Sequence, residues 1–139
     1  MKHKTIENKI FVRFDPGEEI VSNLKILCEE LDIKAAYLSA IGALGEATIG
    51  FFNPEIKEYQ QKELKGDFEI TSMIGNISRM DGKPYLHIHI TLGDKDFNIT
   101  GGHFDKGIVS ATCEMIINKV DGDVARVKGS KYNLNIFDF

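Results

Sequence analysis

The sequence predicts an α+β fold in which one main helix, at about residues 17–31, packs on a largely antiparallel β-sheet. Two observations predict this class. A single apolar stripe at helical spacing occurs early in the chain, formed by Ile20, Val21, Leu24, Leu27, Cys28 and Leu31. The remainder consists of short alternating segments separated by tight turns, a pattern typical of neighbouring antiparallel strands.

The first two elements are a short strand and the helix. Ile10 to Phe14 predicts the opening strand. The next four residues are typical of a helix start, with Asp15 as N-cap, Pro16 at the first helical position and Glu18 at the third. Because a helix with one apolar face needs a partner to cover it, we expect the helix to lie across the sheet.

Most of the chain after Asp32 is expected to form strands. Turns are predicted at Gly42-Ala43-Leu44-Gly45, at residues 79–84 and at Asp121-Gly122-Asp123. Val124–Val127 and Leu134–Phe137 are expected to close the sheet or to cross to a neighbouring chain. The other predicted strands are Ala35–Ile41, Ala47–Phe52, Tyr59–Leu64, Phe68–Ile77, Tyr85–Leu92, Phe97–Thr100 and Ile108–Asn118.

Length and composition predict a single domain over residues 1–139. The chain is 42% hydrophobic and 27% charged, which is typical of a globular protein and not of a disordered one. No segment is long and apolar enough for a membrane span, and the polar N terminus does not resemble a signal peptide, so a cytoplasmic location is expected. Cys28 and Cys113 each lie in an apolar pattern and are expected to be reduced core thiols.

The charge of the chain disfavours nucleic acid as its main ligand. Its formal net charge is −4, from 21 acidic and 17 basic residues. DNA-binding proteins usually carry a basic face, whereas the lysines here are spread along the chain. Only Arg13, Arg79 and Arg126 supply the side chain that most often reads guanine.

Three of the four histidines are predicted to form one cluster. His87 and His89 alternate with Leu86, Ile88 and Ile90, so the two imidazoles share one strand face with Cβ atoms roughly 7 Å apart. Pairing Leu92 with Phe97 and Ile90 with Ile99 would keep the apolar side chains of the next strand on the core face. That register turns His103 inward, unless a β-bulge at Gly101-Gly102 adds one residue and brings His103 beside His89.

Three imidazoles without an evident fourth ligand are typical of an open metal site, where water or a substrate completes the coordination. Imidazole suits zinc, copper, nickel or iron, and zinc is the ion expected first. Glu114 projects away from the predicted core face of its strand and is the candidate general base or carboxylate partner of a ligand. Glu69 is a candidate for the same role. For both acids the alternative is that the side chain is a solvated residue on the polar face of its strand.

These residues resemble the PPC domain, the "plants and prokaryotes conserved" family, in its stand-alone prokaryotic form. The resemblance covers nearly the whole chain. The segment Gly66-Asp67-Phe68-Glu69-Ile70-Thr71-Ser72 and the segment Gly101-Gly102-His103 are its most specific parts. The other matching segments are Gly42-Ala43-Leu44-Gly45 leading into Ala47–Phe52, Gly75-Asn76-Ile77, His87-Ile88-His89 and Leu92-Gly93.

The resemblance implies an antiparallel sheet with a packed helix, a homotrimer, and a metal site at the histidines that match His87, His89 and His103. Plant relatives generally lack these histidines and bind the minor groove of DNA through separate AT-hook segments. This chain has no AT-hook, which weakens the DNA-binding label that prokaryotic members often carry.

Three functions therefore remain open at this point. The first is a metal-dependent protein that acts on or senses a small molecule, either as a hydrolase, as a lyase or as a sensor. The second is a DNA-binding or transcription-associated protein. The third is a trimeric interaction module in which the histidines have no role. The sequence alone does not fix a reaction class.

Overall fold

The computed structural model describes all 139 residues as a curved antiparallel β-sheet with one helix. Strands contain 66% of the residues and the helix 8%, so the predicted α+β class is wrong and the fold is β-dominated. The helix is α1 (Ile20–Glu30), and the strands are β1 (Lys2–Ile6), β2 (Lys9–Phe14), β3 (Ala36–Asn53), β4 (Glu58–Met80), β5 (Lys83–Gly93), β6 (Ile99–Lys119), β7 (Arg126–Lys128) and β8 (Asn135–Phe137).

Two strands, β3 and β4, are far longer than predicted, because glycines bend them where breaks were expected. β3 combines two predicted strands and β4 combines two more. Gly42 lies within β3 with φ 149°, and Gly66 lies within β4 with φ 136°. A Cβ at Gly42 would lie 2.2 Å from the carbonyl oxygen of Thr112 on β6. Glycine therefore lets β3 bend against β6 while the strand continues.

The sheet order is β1-β2-β6-β3-β4-β5, and the beginning of β6 also pairs with β5. β3, β4, β5 and β6 therefore form a closed circuit of paired strands. Residues 99–103 of β6 pair with β5, and residues from His103 to Lys119 pair with β3. His103 lies where β6 passes from one neighbour to the other.

The helix begins at Ile20 and not at residue 17, and its N-cap is Glu19 and not Asp15. The backbone N–H of Gly17 donates to the carbonyl oxygen of Val109, and the backbone N–H of Val109 donates to the carbonyl oxygen of Glu18. These bonds hold residues 17 and 18 on β6, so the helix cannot begin before them. The side chain of Glu19 then accepts the first free helical N–H groups, from Val21 and Ser22.

The hydrophobic core lies between α1 and one face of the sheet. Ile20, Leu24 and Leu27 of α1 are fully buried, and the helix packs on β5 and β6. Cys28 and Cys113 are free and buried, as predicted. With eleven residues, α1 is too short to cross a bilayer, and no other helix exists that could do so.

The C-terminal strands do not follow the first of the two predicted alternatives, which was closure of the main sheet. β7 and β8 pair with each other in a separate two-stranded sheet and do not close the main one. The backbone N–H of Arg79 on β4 donates to the carbonyl oxygen of Val124, which places this small sheet against β4. The strand β1, which lies at the edge of the main sheet beside β2, was not predicted.

Candidate metal centre

His87, His89 and His103 meet on the sheet face opposite the core. On β5 the alternation is as predicted, since Ile88 and Ile90 are buried in the core and the two histidines project away from it. The ring centroids are 5.2 Å apart for His87 and His89, and His103 lies 5.3 Å and 5.7 Å from them. One nitrogen from each ring lies within 4.8 Å of the other two.

His103 reaches the cluster by a register that differs from the predicted one. It lies directly opposite His89, and Leu92 lies opposite Thr100 and not Phe97. The turn between β5 and β6 is longer than a pairing of Leu92 with Phe97 would allow, because the carboxylate of Asp94 accepts hydrogen bonds from the backbone N–H groups of Asp96 and Asn98. Phe97 therefore stays in the turn, where it is 91% exposed, and β6 begins at Ile99.

No bulge occurs at Gly101 and Gly102, so the predicted role of these glycines is wrong. Pairing of β5 with β6 is regular through both residues. A Cβ at Gly101 would lie 2.4 Å from the carbonyl oxygen of Ile90, and one at Gly102 would lie 2.6 Å from that of Gly50. The glycines therefore allow β6 to approach β5 on one side and β3 on the other. The register shift lies further along β6, between Phe104 and Lys106, opposite Ile49 and Thr48 of β3.

The protein environment favours the neutral form of two of these histidines. Burial, followed by the charges of His103 and Arg126, lowers the pKa of His87 to about 4. Burial also lowers the pKa of His103, although the nearby carboxylate of Asp105 opposes this shift. Neutral imidazole is the form that binds a metal ion.

The hydrogen bonding of His103 fits a metal ligand. Its Nδ1 is buried and has no hydrogen-bond partner, which is costly for a polar atom unless something binds it. Its Nε2 lies 3.6 Å from Oδ1 of Asp105, and Gln61 donates to the other oxygen of that carboxylate at 3.2 Å. A metal-bound histidine typically has its second nitrogen oriented by a carboxylate in this way.

An open cavity of about 430 Å³ lies beside the histidines. His87 and His103 form part of its wall together with Tyr59 and Tyr85, and residues 133–137 cover another side. The ring of Tyr59 lies 5.4 Å from that of His103. The cavity is therefore bounded by aromatic and imidazole rings and can accommodate a small molecule next to the three ring nitrogens.

The structure does not bring the predicted acidic residues to the histidines. Glu114 pairs with Arg13 of β2 and Ile41 of β3, and it lines a separate depression together with His3. Glu114 lies eleven residues after His103 on the same strand. Because each strand residue adds about 3.3 Å, the two side chains are far apart. Glu69 lies opposite Gly93, at the far end of β5 from His87.

Sequence reasoning missed two polar residues of this region. Asp105 could have been found, because it follows His103 by two residues and strand alternation places such pairs on one face. Arg126 lines the cavity as the first residue of β7, in the C-terminal part of the chain and not in the histidine strands. No local pattern in the sequence connects Arg126 with the histidines.

Comparison with known proteins identifies several relatives of the whole chain. Residues 1–121 match the Plants and Prokaryotes Conserved domain, abbreviated PCC or PPC. A crystal structure from Bacteroides thetaiotaomicron, whose name suggests DNA binding, is 36% identical, with a TM-score of 0.96, and covers 99% of this chain and 96% of that one. A metal-containing protein from Archaeoglobus fulgidus is 34% identical, with a TM-score of 0.90, over 97% of this chain and 96% of that one.

Two further relatives extend the comparison. A plant- and prokaryote-conserved protein from Pyrococcus horikoshii is 32% identical, with a TM-score of 0.86, over 99% of this chain and 94% of that one. Among curated proteins, the bifunctional protein GlmU of a Synechococcus strain is 27% identical over 108 residues. That match takes in 76% of this chain but only 16% of the GlmU protein.

Proposed function

The chain belongs to the Plants and Prokaryotes Conserved domain family, and we propose that within this family it is a metal-binding protein. His87, His89 and His103 would hold one divalent ion, zinc in the first instance, with a coordination position left open. A small molecule in the adjacent cavity would occupy that position, either as a substrate or as a sensed ligand.

The observation that carries this proposal is the convergence of three ring nitrogens within 4.8 Å on a sheet face that is otherwise not part of the core. The partnerless Nδ1 of His103 and the carboxylate of Asp105 next to its Nε2 support it. A further support is the Archaeoglobus fulgidus relative, which is a metal-containing protein of the same fold at 34% identity.

A divalent ion with an open position supplies Lewis acidity to an oxygen of a bound molecule. The contributions of the chain itself are more specific. β5 and β6 hold the three imidazoles by backbone pairing, and Asp105 orients His103. The rings of Tyr59 and Tyr85 form part of the cavity wall beside the histidines.

A zinc titration of the untagged protein by calorimetry tests the proposal, together with elemental analysis of the protein as purified. We expect one zinc per chain. His87→Ala, His89→Ala and His103→Ala should each weaken binding by more than about 100-fold, because loss of a ligand costs more than loss of a residue that orients one. His3→Ala is the matched control, since His3 lines a different depression.

The result that would overturn the metal proposal is unchanged zinc affinity in any one of the three histidine variants. Equal weakening by His3→Ala would overturn it as well, because it would show that zinc binds histidines without regard to this site. Circular dichroism of each variant establishes that the fold is intact when the affinity is compared.

We also propose that the chain assembles as a homotrimer. Several large apolar side chains on the histidine face are exposed, among them Tyr37 (56%), Ile41 (63%) and Ile74 (60%). Ile74 lies opposite His89, and Ser39 lies between Ile74 and Ile116 in the register, so the apolar side chains continue across β4, β3 and β6. Such a patch is typical of a subunit interface.

Light scattering tests the homotrimer and should give three times the 15.6 kDa chain mass. A monomer at micromolar concentration would contradict the trimer.

DNA binding is the second candidate function, favoured by the names of relatives such as the Bacteroides thetaiotaomicron protein. Lys2, Lys4 and Arg13 line one depression, although Glu114 lies among them. The net charge of −4 and the lack of an AT-hook predict only weak, nonspecific affinity, on the order of 10⁻⁴ to 10⁻⁶ M. A fluorescence titration with duplex DNA at several salt concentrations tests this, and a nanomolar, sequence-selective complex at physiological salt would favour the DNA-binding function instead.

A further inference from the structure

Arg126 is a buried cation beside the three histidines. Its side chain is only 9% exposed and lines the cavity that His87 and His103 also line. Its Nε donates to the hydroxyl of Ser78 at 2.7 Å, and its two terminal nitrogens donate to Oδ1 of Asn76 at 2.7 Å and to the carbonyl oxygen of Asn135 at 2.6 Å. All three acceptors are neutral.

No carboxylate of the chain balances this charge. The other two arginines each have an acidic partner, Asp15 for Arg13 and Asp32 for Arg79. Arg126 has none within 4.0 Å, and no aspartate or glutamate lines the cavity. Burial lowers the pKa of Arg126, because removal from water disfavours the charged form. An unpaired buried charge is costly, and an anionic ligand would offset that cost.

The guanidinium group is oriented by two aromatic rings. Its central carbon lies 4.7 Å from the ring centroid of Tyr85 and 4.4 Å from that of Phe137. Three of the five guanidinium N–H groups donate to Ser78, Asn76 and Asn135, which leaves two. One N–H of each terminal nitrogen remains, and a carboxylate can accept hydrogen bonds from two guanidinium N–H groups at once.

Arg126 and two of the histidines line one cavity, and the residues that hold Arg126 neighbour His87 in the sheet. Asn76, which accepts a hydrogen bond from Arg126, lies directly opposite His87 in the pairing of β4 with β5. Tyr85, which lies under the guanidinium group, precedes His87 by two residues on the same strand face, a separation of roughly 7 Å. A short organic acid could therefore contact both ends of the cavity at once.

We propose that the cavity binds a small organic anion whose carboxylate pairs with Arg126 while a second oxygen of the same molecule faces His87, His89 and His103. The contact with the histidine end rests on the proposed metal function, and the contact with Arg126 does not. Arg126 is thus the residue that selects a negatively charged ligand over a neutral one.

The alternative is that Arg126 only attaches residues 133–137 to β4 through its hydrogen bonds. The two roles differ in what they predict for ligands. If the role were only structural, replacement of Arg126 would change stability but would not distinguish a dicarboxylate from a monocarboxylate. If it binds the anion, the loss should depend on the second carboxylate of the probe.

Calorimetry with succinate and butyrate as probes separates these roles. The two compounds have equally long carbon chains, and butyrate lacks the second carboxylate. We expect the zinc-loaded protein to bind succinate at least about tenfold more tightly than butyrate, because a charge-assisted pair with arginine is worth about that factor. Arg126→Gln should remove this preference and leave zinc affinity within about twofold. Arg126→Lys should keep part of it, because the charge remains and the fork geometry is lost.

Arg79→Gln is the matched control, because Arg79 already pairs with Asp32 and does not line the cavity. It should leave the preference for succinate unchanged. If Arg126→Gln does not fold, the comparison of succinate with butyrate in the unaltered protein still tests the proposal, and equal affinities would overturn it. Retention of the preference in a folded Arg126→Gln protein would overturn it as well.

The same measurements distinguish this inference from the metal proposal. Suppose that the unaltered protein does not bind zinc, but that it prefers succinate to butyrate and Arg126→Gln removes this preference. That result would overturn the metal function alone. If zinc binds as expected but the affinity for succinate does not depend on Arg126, the anion site alone would be overturned.

Discussion

His89 and His103 lie directly opposite each other in the antiparallel pair of β5 with β6, and their rings are 5.7 Å apart with planes at 89°. On its other side His103 is paired with Gly50 of β3. The backbones of two neighbouring strands therefore determine the position of this histidine, and its distance from His89 depends on how closely β6 can approach both of them.

Gly102→Ala should destabilise the fold and weaken zinc binding without removing a ligand. Its Cβ would lie 2.6 Å from the carbonyl oxygen of Gly50, so β6 must move away from β3 and carry His103 with it. We expect a loss of about 1–3 kcal/mol in the free energy of unfolding, measured in urea. Gly45→Ala on β3 is the control, because its Cβ would meet only the Cβ of Ser110 at an ordinary 3.6 Å. Equal stability of the two variants would contradict the close-approach explanation.

Asp105→Asn should weaken zinc binding by roughly 10–100-fold while leaving one zinc per chain. The carboxylate lies next to Nε2 of His103, and the neutral amide would orient and polarise that ring less strongly. A competition titration with a chromogenic chelator measures the change. Asp96→Asn is the control, since Asp96 is an exposed turn residue paired with Lys95. An Asp105→Asn protein with the zinc affinity of the parent would show that this carboxylate does not support the site.

The predicted helix and the observed helix differ only at their ends, because the apolar stripe of α1 is a local pattern. The strand boundaries depend on contacts that are distant in sequence. Gly42 was placed in a predicted turn and Gly66 between two predicted strands, yet each lies within one continuous strand. β1 has no buried residue, so it lacks the alternation by which a strand is recognised. These differences explain why the fold class was predicted with too little strand.

The histidine cluster was predicted from alternation on β5, and the structure brings its members together, but the route of His103 was predicted incorrectly. The assumption was that Ile99 must face the core, whereas Ile99 is 63% exposed on the histidine face. An apolar side chain on that face is explicable if another subunit covers it. Glu114 was chosen by its type and by strand alternation, and only the register of β6 shows that it is distant from His103.

The thiols of Cys28 and Cys113 should not react with iodoacetamide in the native protein at about pH 8. Both side chains are fully buried, and burial raises the pKa of each thiol to about 12. The reactive thiolate is therefore scarce as well as inaccessible. Mass spectrometry should show no label under native conditions and two labels per chain in denaturant. Rapid native labelling of either cysteine would contradict the packing of α1 against the sheet.

Glu19→Gln should destabilise the protein by about 1–2 kcal/mol at neutral pH, because the carboxylate both caps α1 and holds β6. It accepts hydrogen bonds from Val21 and Ser22 in the helix and from Gly107 on β6. Burial alone would raise the pKa of Glu19, but these hydrogen bonds outweigh it and hold the pKa below its ordinary value of 4.5. The stabilisation is therefore present above that value and is lost as the pH falls through the lower folded-state pKa.

Urea unfolding at several pH values measures this effect. The difference in free energy of unfolding between the unaltered protein and Glu19→Gln should decrease in that pH range. Glu30→Gln, at the exposed end of the same helix, should show no such decrease, and a constant difference for Glu19→Gln would indicate that its carboxylate charge contributes nothing.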